Sequence, residues 1–279
     1  VHLIAKVEPL FHVERSGNTM ALHQSLLDLG EQAARCSTTA TAKGVLAEAT
    51  DLIRNALFHR EQETALSAWY SRLLSDVVRS PALAPHTGEV RLTGSVALGD
   101  ASPTATVRWL GSSPELEELL SAVGIKGEQA KDSLPHRVDS GLPVGIDGEK
   151  QLFRAALEQR PPAVQISNGL PDPTQAVDFK AFLLLPIQSL ARWAAPSPRP
   201  TPDRLAIGLE RELLTPEEFE SLNQAWKTGL ALDYRNWLDG VDVYSRELQV
   251  RDLAALDRTA YGAACWMVAG AFDSIKVRH

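Results

Sequence analysis

Residues 94–110 read GSVALGDASPTATVRWL. A short β-prone run, Glu89–Thr93, leads into the Gly-Ser pair, and a second, Thr104–Leu110, follows it. The intervening GSVALGDASP is too long for a tight hairpin, and its glycines suit a loop that carries a site. Short strands set into a chain that is otherwise helical in pattern make the fold class α+β.

Upstream, from Met20 to Val78, apolar residues return at three- and four-residue steps: Leu22, Leu26 and Leu29; Val45, Leu46, Ala49, Leu52, Ile53 and Ala56; Leu66, Trp69, Tyr70, Leu73, Leu74 and Val77. That spacing predicts amphipathic helices. Ser37-Thr38-Thr39 separates the first from the second, and Ser80-Pro81 with Pro85-His86-Thr87-Gly88 ends the helical leader. Downstream, Pro114 opens a helix with acidic residues in its first turn, where they complement the dipole. Residues 124–175 are rich in Gly and Pro, with a helical patch at Glu149–Glu158 and strand fragments around Ala163–Ser167. From Asp178 the pattern is helical again, over Asp178–Trp193, Pro216–Trp237 and Val250–Ile275, broken at APSPRPTPDR and at Gly240-Val241-Asp242. The expected plan is a helical leader with a small mixed sheet over residues 1–170, then an all-α antiparallel helical bundle over 171–279.

A chain of 279 residues, 44% hydrophobic and 23% charged, buries a sizeable core. Its net charge of -7 is spread over the sequence, which argues against duplex nucleic acid as a partner because such binding needs a concentrated basic face. Cys36 and Cys265 make neither a disulfide framework nor a zinc site. The apolar runs are shorter than a membrane span, and the N-terminal VHLIAKVEPLFHVERSG lacks the features of a secretion signal. The expected location is the cytoplasm, with no membrane partner.

The order of a helical leader, a Gly-Ser turn, a second strand and then a helical region resembles the protein-PII uridylyltransferase-type nucleotidyltransferase domain followed by that family's helical substrate-binding domain. The family's turn reads roughly Gly-Ser-x-x-Arg-Gly-Glu, and its second strand ends in Asp-x-Asp. Gly94, Ser95 and Gly99 fall on matching positions, with Asp100 in place of the Glu. Leu98 stands where the Arg belongs, and Thr106 and Arg108 stand where the two aspartates belong. Farther on, Asp178-Phe179-Lys180 resembles Asp-Leu-Lys, Thr201-Pro202-Asp203-Arg204-Leu205 resembles Thr-x-x-Arg-Leu, and Ala191-Arg192 and Tyr234-Arg235 fit the same helices. The resemblance covers roughly residues 20 to 275.

What the resemblance implies is a site without its metal ligands. Residues i and i+2 of a strand share a face, so Asp-x-Asp presents two carboxylates to Mg²⁺ and a nucleoside triphosphate. Thr106 offers a neutral oxygen and Arg108 repels a cation. The candidate nucleotide-binding residues are Gly94, Ser95, Gly99, Asp100, Thr106 and Arg108; Lys180, Arg192, Arg204 and Arg235 are candidates for a pocket in the second half. No metal ligand and no cofactor are expected, and no residue is assigned a catalytic role. Asp242, in Gly-Val-Asp-Val, resembles a third carboxylate strand but lies in the helical half.

Other chemistries lack their signatures: there is no Gly-x-Ser-x-Gly elbow, P-loop, His-Glu-x-x-His or Gly-x-Gly-x-x-Gly after a strand. His12, His23, His59, His86 and His136 read as surface or cap residues, and Trp226, Trp237 and Trp266 as core anchors. Three readings stay open. The first is a catalytically degenerate nucleotidyltransferase-like protein, a regulatory module that binds a nucleotide or a protein partner. The second is an active nucleotidyltransferase with a Mg²⁺ site rearranged around Asp100, and the third is a helical scaffold without a ligand. Long apolar stripes also lead us to expect a homodimer.

Overall fold

The computed structural model describes residues 22–162, 166–167, 170–240 and 248–279. Asp242 and His12 lie outside them. The leader folds as α1 (Gln24–Ala34), α2 (Thr39–Phe58) and α3 (Glu63–Val78), where the three apolar stripes fall. Thr38 and Thr41 form a reciprocal cap at the start of α2, so the Ser-Thr-Thr break is the helix's own N-terminal signal. The indole Nε1 of Trp69 donates to the Leu26 carbonyl oxygen at 2.8 Å and ties α3 to α1.

After the short α4 (Ala84–Thr87) come β1 (Arg91–Thr93), α5 (Gly94–Leu98), β2 (Val107–Leu110), α6 (Pro114–Ala122) and β3 (Gly127–Gln129). The sheet has the order β1-β2-β3, antiparallel between the first pair and parallel between the second. Among the described residues it is a small mixed sheet set between twelve helices, an α+β fold. Gly94 takes φ +65°, which lets the chain turn from β1 directly into α5; a Cβ there would be strained. The expected loop is therefore half helical, since GSVAL winds one turn and stops at Gly99, a left-handed cap. Val107 and Trp109 point into the core while Thr106 and Arg108 turn the other way.

The rest comprises α7 (Leu134–Asp139), α8 (Gly148–Glu158), the two-residue pair β4 (Ile166–Ser167) and β5 (Leu170–Pro171), α9 (Leu185–Ala194), α10 (Thr201–Glu210), α11 (Pro216–Leu238) and α12 (Ala255–Arg278). The sequence break at APSPRPTPDR is shorter than expected because Thr201 already begins α10. Lys180–Leu184 is a wide turn of π type running into α9, with the Leu185 N–H donating to the Lys180 carbonyl oxygen. Pro186 gives the reason: it has no N–H and its ring would clash with the carbonyl four residues back in a regular helix.

Two hydrophobic clusters result. One gathers α1 to α3, the sheet and α6 around Leu26, Leu46, Leu73, Val107 and Trp109; the other gathers α8 to α12 around Ile187, Leu205, Trp226, Val268 and Phe272. Val138, Leu152 and Ala156, which precede residue 170 in sequence, are buried in the second cluster. Helix α11 serves both, burying Leu222 and Trp226 in the second and Tyr234 in the first, where Tyr234 Oη and Ser67 Oγ share a 3.1 Å hydrogen bond. Trp266 departs from the expected core role: α12 is apolar around much of its circumference, and Trp266 lies on its exposed side. Among the described residues, no helix is long and apolar enough to cross a membrane.

Candidate functional site

A cleft of about 350 Å³ opens where the Gly-Ser turn and β2 face α9 and α11. Gly94, Ser95 and Asp100 reach it from α5 and the residue after its cap, Thr106 from just before β2, Arg108 from β2 itself, and Lys126 from the approach to β3. His136 and Asp139 on α7 complete that side. The opposite wall is Lys180, Leu184, Leu185, Gln188 and Arg192, with Trp226 of α11 behind. The turn and the wide helical segment, far apart in sequence, thus share one cavity.

The loop from Gly99 to Thr106 is fastened to the helical half at three points. Asp233 of α11 accepts hydrogen bonds from Ser102 Oγ at 2.5 Å and from Thr104 Oγ1 at 2.7 Å. Lys180 Nζ donates to the Thr104 carbonyl oxygen. Burial lowers the Lys180 pKa, with the nearby Asp233 and Asp178 opposing that effect. Asp178 Oδ1 accepts the N–H groups of Lys180 and Ala181 at 2.9 and 2.8 Å, capping the start of the wide turn.

Asp100 is the third fastening. Its carboxyl accepts the Thr201 Oγ1–H at 2.7 Å and the Thr201 N–H at 3.2 Å, at the first turn of α10, and lies 3.5 Å from Gln188 Nε2. Burial pushes its pKa up to about 7, against the pull of the Thr201 hydrogen bonds and the Arg204 charge.

The donors present do not fit a divalent cation. The two strand positions hold a hydroxyl and a guanidinium, the latter paired with Glu128 at 2.5 Å across the parallel register. The Asp100 oxygens are occupied by α10, and Asp139 is occupied by two arginines. Among the described residues, no three His, Cys, Asp or Glu side chains gather as a metal centre requires.

Asp139 is almost fully buried. Arg192 grips it bidentately, Nε to Oδ1 at 2.9 Å and Nη2 to Oδ2 at 2.8 Å, while Arg204 Nη2 reaches Oδ1 at 2.9 Å. Burial alone would raise this carboxyl, but the Arg192 and Arg204 guanidiniums hold it below the usual carboxylate range. Arg204, with none of its side chain exposed, also donates to the Ser197 carbonyl oxygen.

Of the sequence-predicted residues, Gly94, Ser95, Asp100, Thr106, Arg108, Lys180 and Arg192 line the cleft. Gly99 is instead the φ +79° cap beside Pro200, Arg204 lies beneath the wall as a buried partner of Asp139, and Arg235 is exposed on α11 and pairs with Asp257. His136, read as a surface or cap residue, is half-buried on the cleft wall; burial lowers its pKa, opposed first by Asp139. Its closest side-chain partner is Thr93 Oγ1, 3.3 Å from Nδ1. Trp226 is at once a core anchor and part of the wall. Asp139, Lys126 and Gln188 carried no local signal, because a lone polar residue acquires its role only from the element folded against it.

No family model, curated protein or solved structure matches the chain.

Proposed function

We propose that the protein is a degenerate nucleotidyltransferase-like module that binds a nucleotide in this cleft and acts through binding, not transfer. The observation that carries the reading is the cleft's division into two chemistries. Leu185, with the buried Leu184 and Trp226 behind it, supplies an apolar wall for a base, while Ser95, Arg108, Lys126 and Arg192 supply donors and positive charge for phosphates. The small sheet then corresponds to a reduced nucleotidyltransferase sheet, and the helices after it to an antiparallel bundle of the substrate-binding kind. An active enzyme with Mg²⁺ rearranged around Asp100 is the weaker reading, since both oxygens of that carboxyl face the first turn of α10.

Titration calorimetry with ATP, UTP, GTP and CTP, each with Mg²⁺ and with EDTA, tests the proposal. At least one nucleotide binds equally well in EDTA, and its affinity falls as salt rises. Labelled nucleotide is not transferred to protein PII or to water. Binding that requires Mg²⁺, transfer abolished by Ser95→Ala, or no binding of any nucleotide overturns it.

A further inference from the structure

The basic residues of the cleft are not equivalent. Arg108 is matched one to one by Glu128, and both are substantially exposed, so the pair is close to neutral and screened by water. Arg192 belongs to a different arrangement. One buried carboxylate, Asp139, is shared by two guanidiniums, and the second, Arg204, is shut away from solvent altogether. The cluster therefore keeps positive charge in excess, about one unit while the neighbouring Asp100 holds its proton and less once that carboxyl ionises above about pH 7, and Arg192 is the member that reaches the cleft.

Geometry reinforces the charge. Asp139 holds Arg192 through Nε and Nη2, which fixes the plane of the guanidinium, and among the described residues Nη1 carries no hydrogen bond. A free arginine must give up much of its side-chain freedom when it grips an anion; one already clamped along one edge gives up little.

We propose that the anionic group of the ligand, a phosphoryl group, is bound by Arg192, and that Asp139 is the residue that positions it. This rests on reading the cleft as a nucleotide site, and among the basic residues of that cleft it assigns the phosphate seat to the helix arginine rather than the strand arginine. Arg108, neutralised by Glu128, then contributes little, and the preference for a multiply charged oxyanion that offers two oxygens to one guanidinium comes from the fork of Arg192.

The test is calorimetry in EDTA with two probes, inorganic pyrophosphate and ATP, on the wild type, Arg192→Gln, Arg192→Lys and Arg108→Gln. In Arg192→Gln, Asp139 keeps Arg204 as its partner, so the fold is retained. The expected loss for both probes is about tenfold or more in Arg192→Gln, about threefold in Arg192→Lys, which keeps the charge but not the fork, and less than threefold in Arg108→Gln. Asp139→Asn weakens binding in the wild type but not further in Arg192→Gln, a coupling that a purely structural role would not produce. If ATP binds and Arg192→Gln leaves its affinity within threefold, or if Arg108→Gln costs more, the proposal falls while the nucleotide reading stands. If pyrophosphate binds through Arg192 and no nucleotide binds, the proposal stands and the nucleotide reading falls. Binding of neither probe refutes both.

Discussion

Replacing Asp100 by Asn keeps the size of the side chain and an oxygen for Thr201, but removes a carboxyl that burial holds at about 7 instead of its ordinary 3.8. The sign follows from the direction of that difference. Between 3.8 and about 7 the folded state keeps a proton that the unfolded chain has released, so this group's contribution to stability is complete at low pH and is lost as pH rises towards 7. At about 1.4 kcal/mol per pH unit, the whole loss is about 4 kcal/mol, of which about 3 kcal/mol falls between pH 5 and pH 8. The amide in the variant cannot ionise. Other titrating groups, His136 among them, are common to both proteins and cancel in the comparison. Urea denaturation of wild type and Asp100→Asn at pH 5, 6, 7 and 8 should show the variant gaining on the wild type by about 3 kcal/mol across that range. A stability difference that stays constant within about 0.5 kcal/mol from pH 5 to pH 8 would refute the reasoning, and with it the role of Asp100 as a buried strap rather than an exposed acid.

Gly208→Ala places a Cβ at 2.7 Å from Ala194 Cβ, where α10 crosses α9. The helices must part, at a cost of about 1–3 kcal/mol in thermal or chemical denaturation, despite the better helix propensity of Ala. Placing carboxylates there with Thr106→Asp and Arg108→Asp sets two new acids on one face beside Glu128, opposite residue 108 in the register. This double variant should gain about 2 °C or more in melting temperature with millimolar Mn²⁺, a response absent in the wild type; no gain would mean that residues 106 and 108 do not converge as the strand geometry requires.

Local spacing carried much of the fold. Apolar residues at three- and four-residue steps fix α1, α2, α3 and α11, because a helix must bury one stripe whatever it packs against. The two-residue period of a strand sets Thr106 and Arg108 on one face while Val107 and Trp109 enter the core. The same reasoning failed for Trp266, since a helix that is apolar on most sides does not declare which side is covered.

The site itself is a product of tertiary structure. Asp100 meets Thr201 a hundred and one residues later in the chain, Ser102 meets Asp233 after a hundred and thirty-one, and Asp139 meets Arg192 after fifty-three. No local pattern encodes such pairs: a carboxylate looks the same in sequence whether it faces water, a metal or two arginines. By itself the sequence determined which residue types stand at the turn and the second strand, and therefore that residues 106 and 108 present a hydroxyl and a guanidinium and no carboxylate. Only the packing of α9, α10 and α11 against the sheet decided that the remaining acids are consumed by internal partners, because burial forces each charged group to find its counterpart wherever the chain brings one within reach.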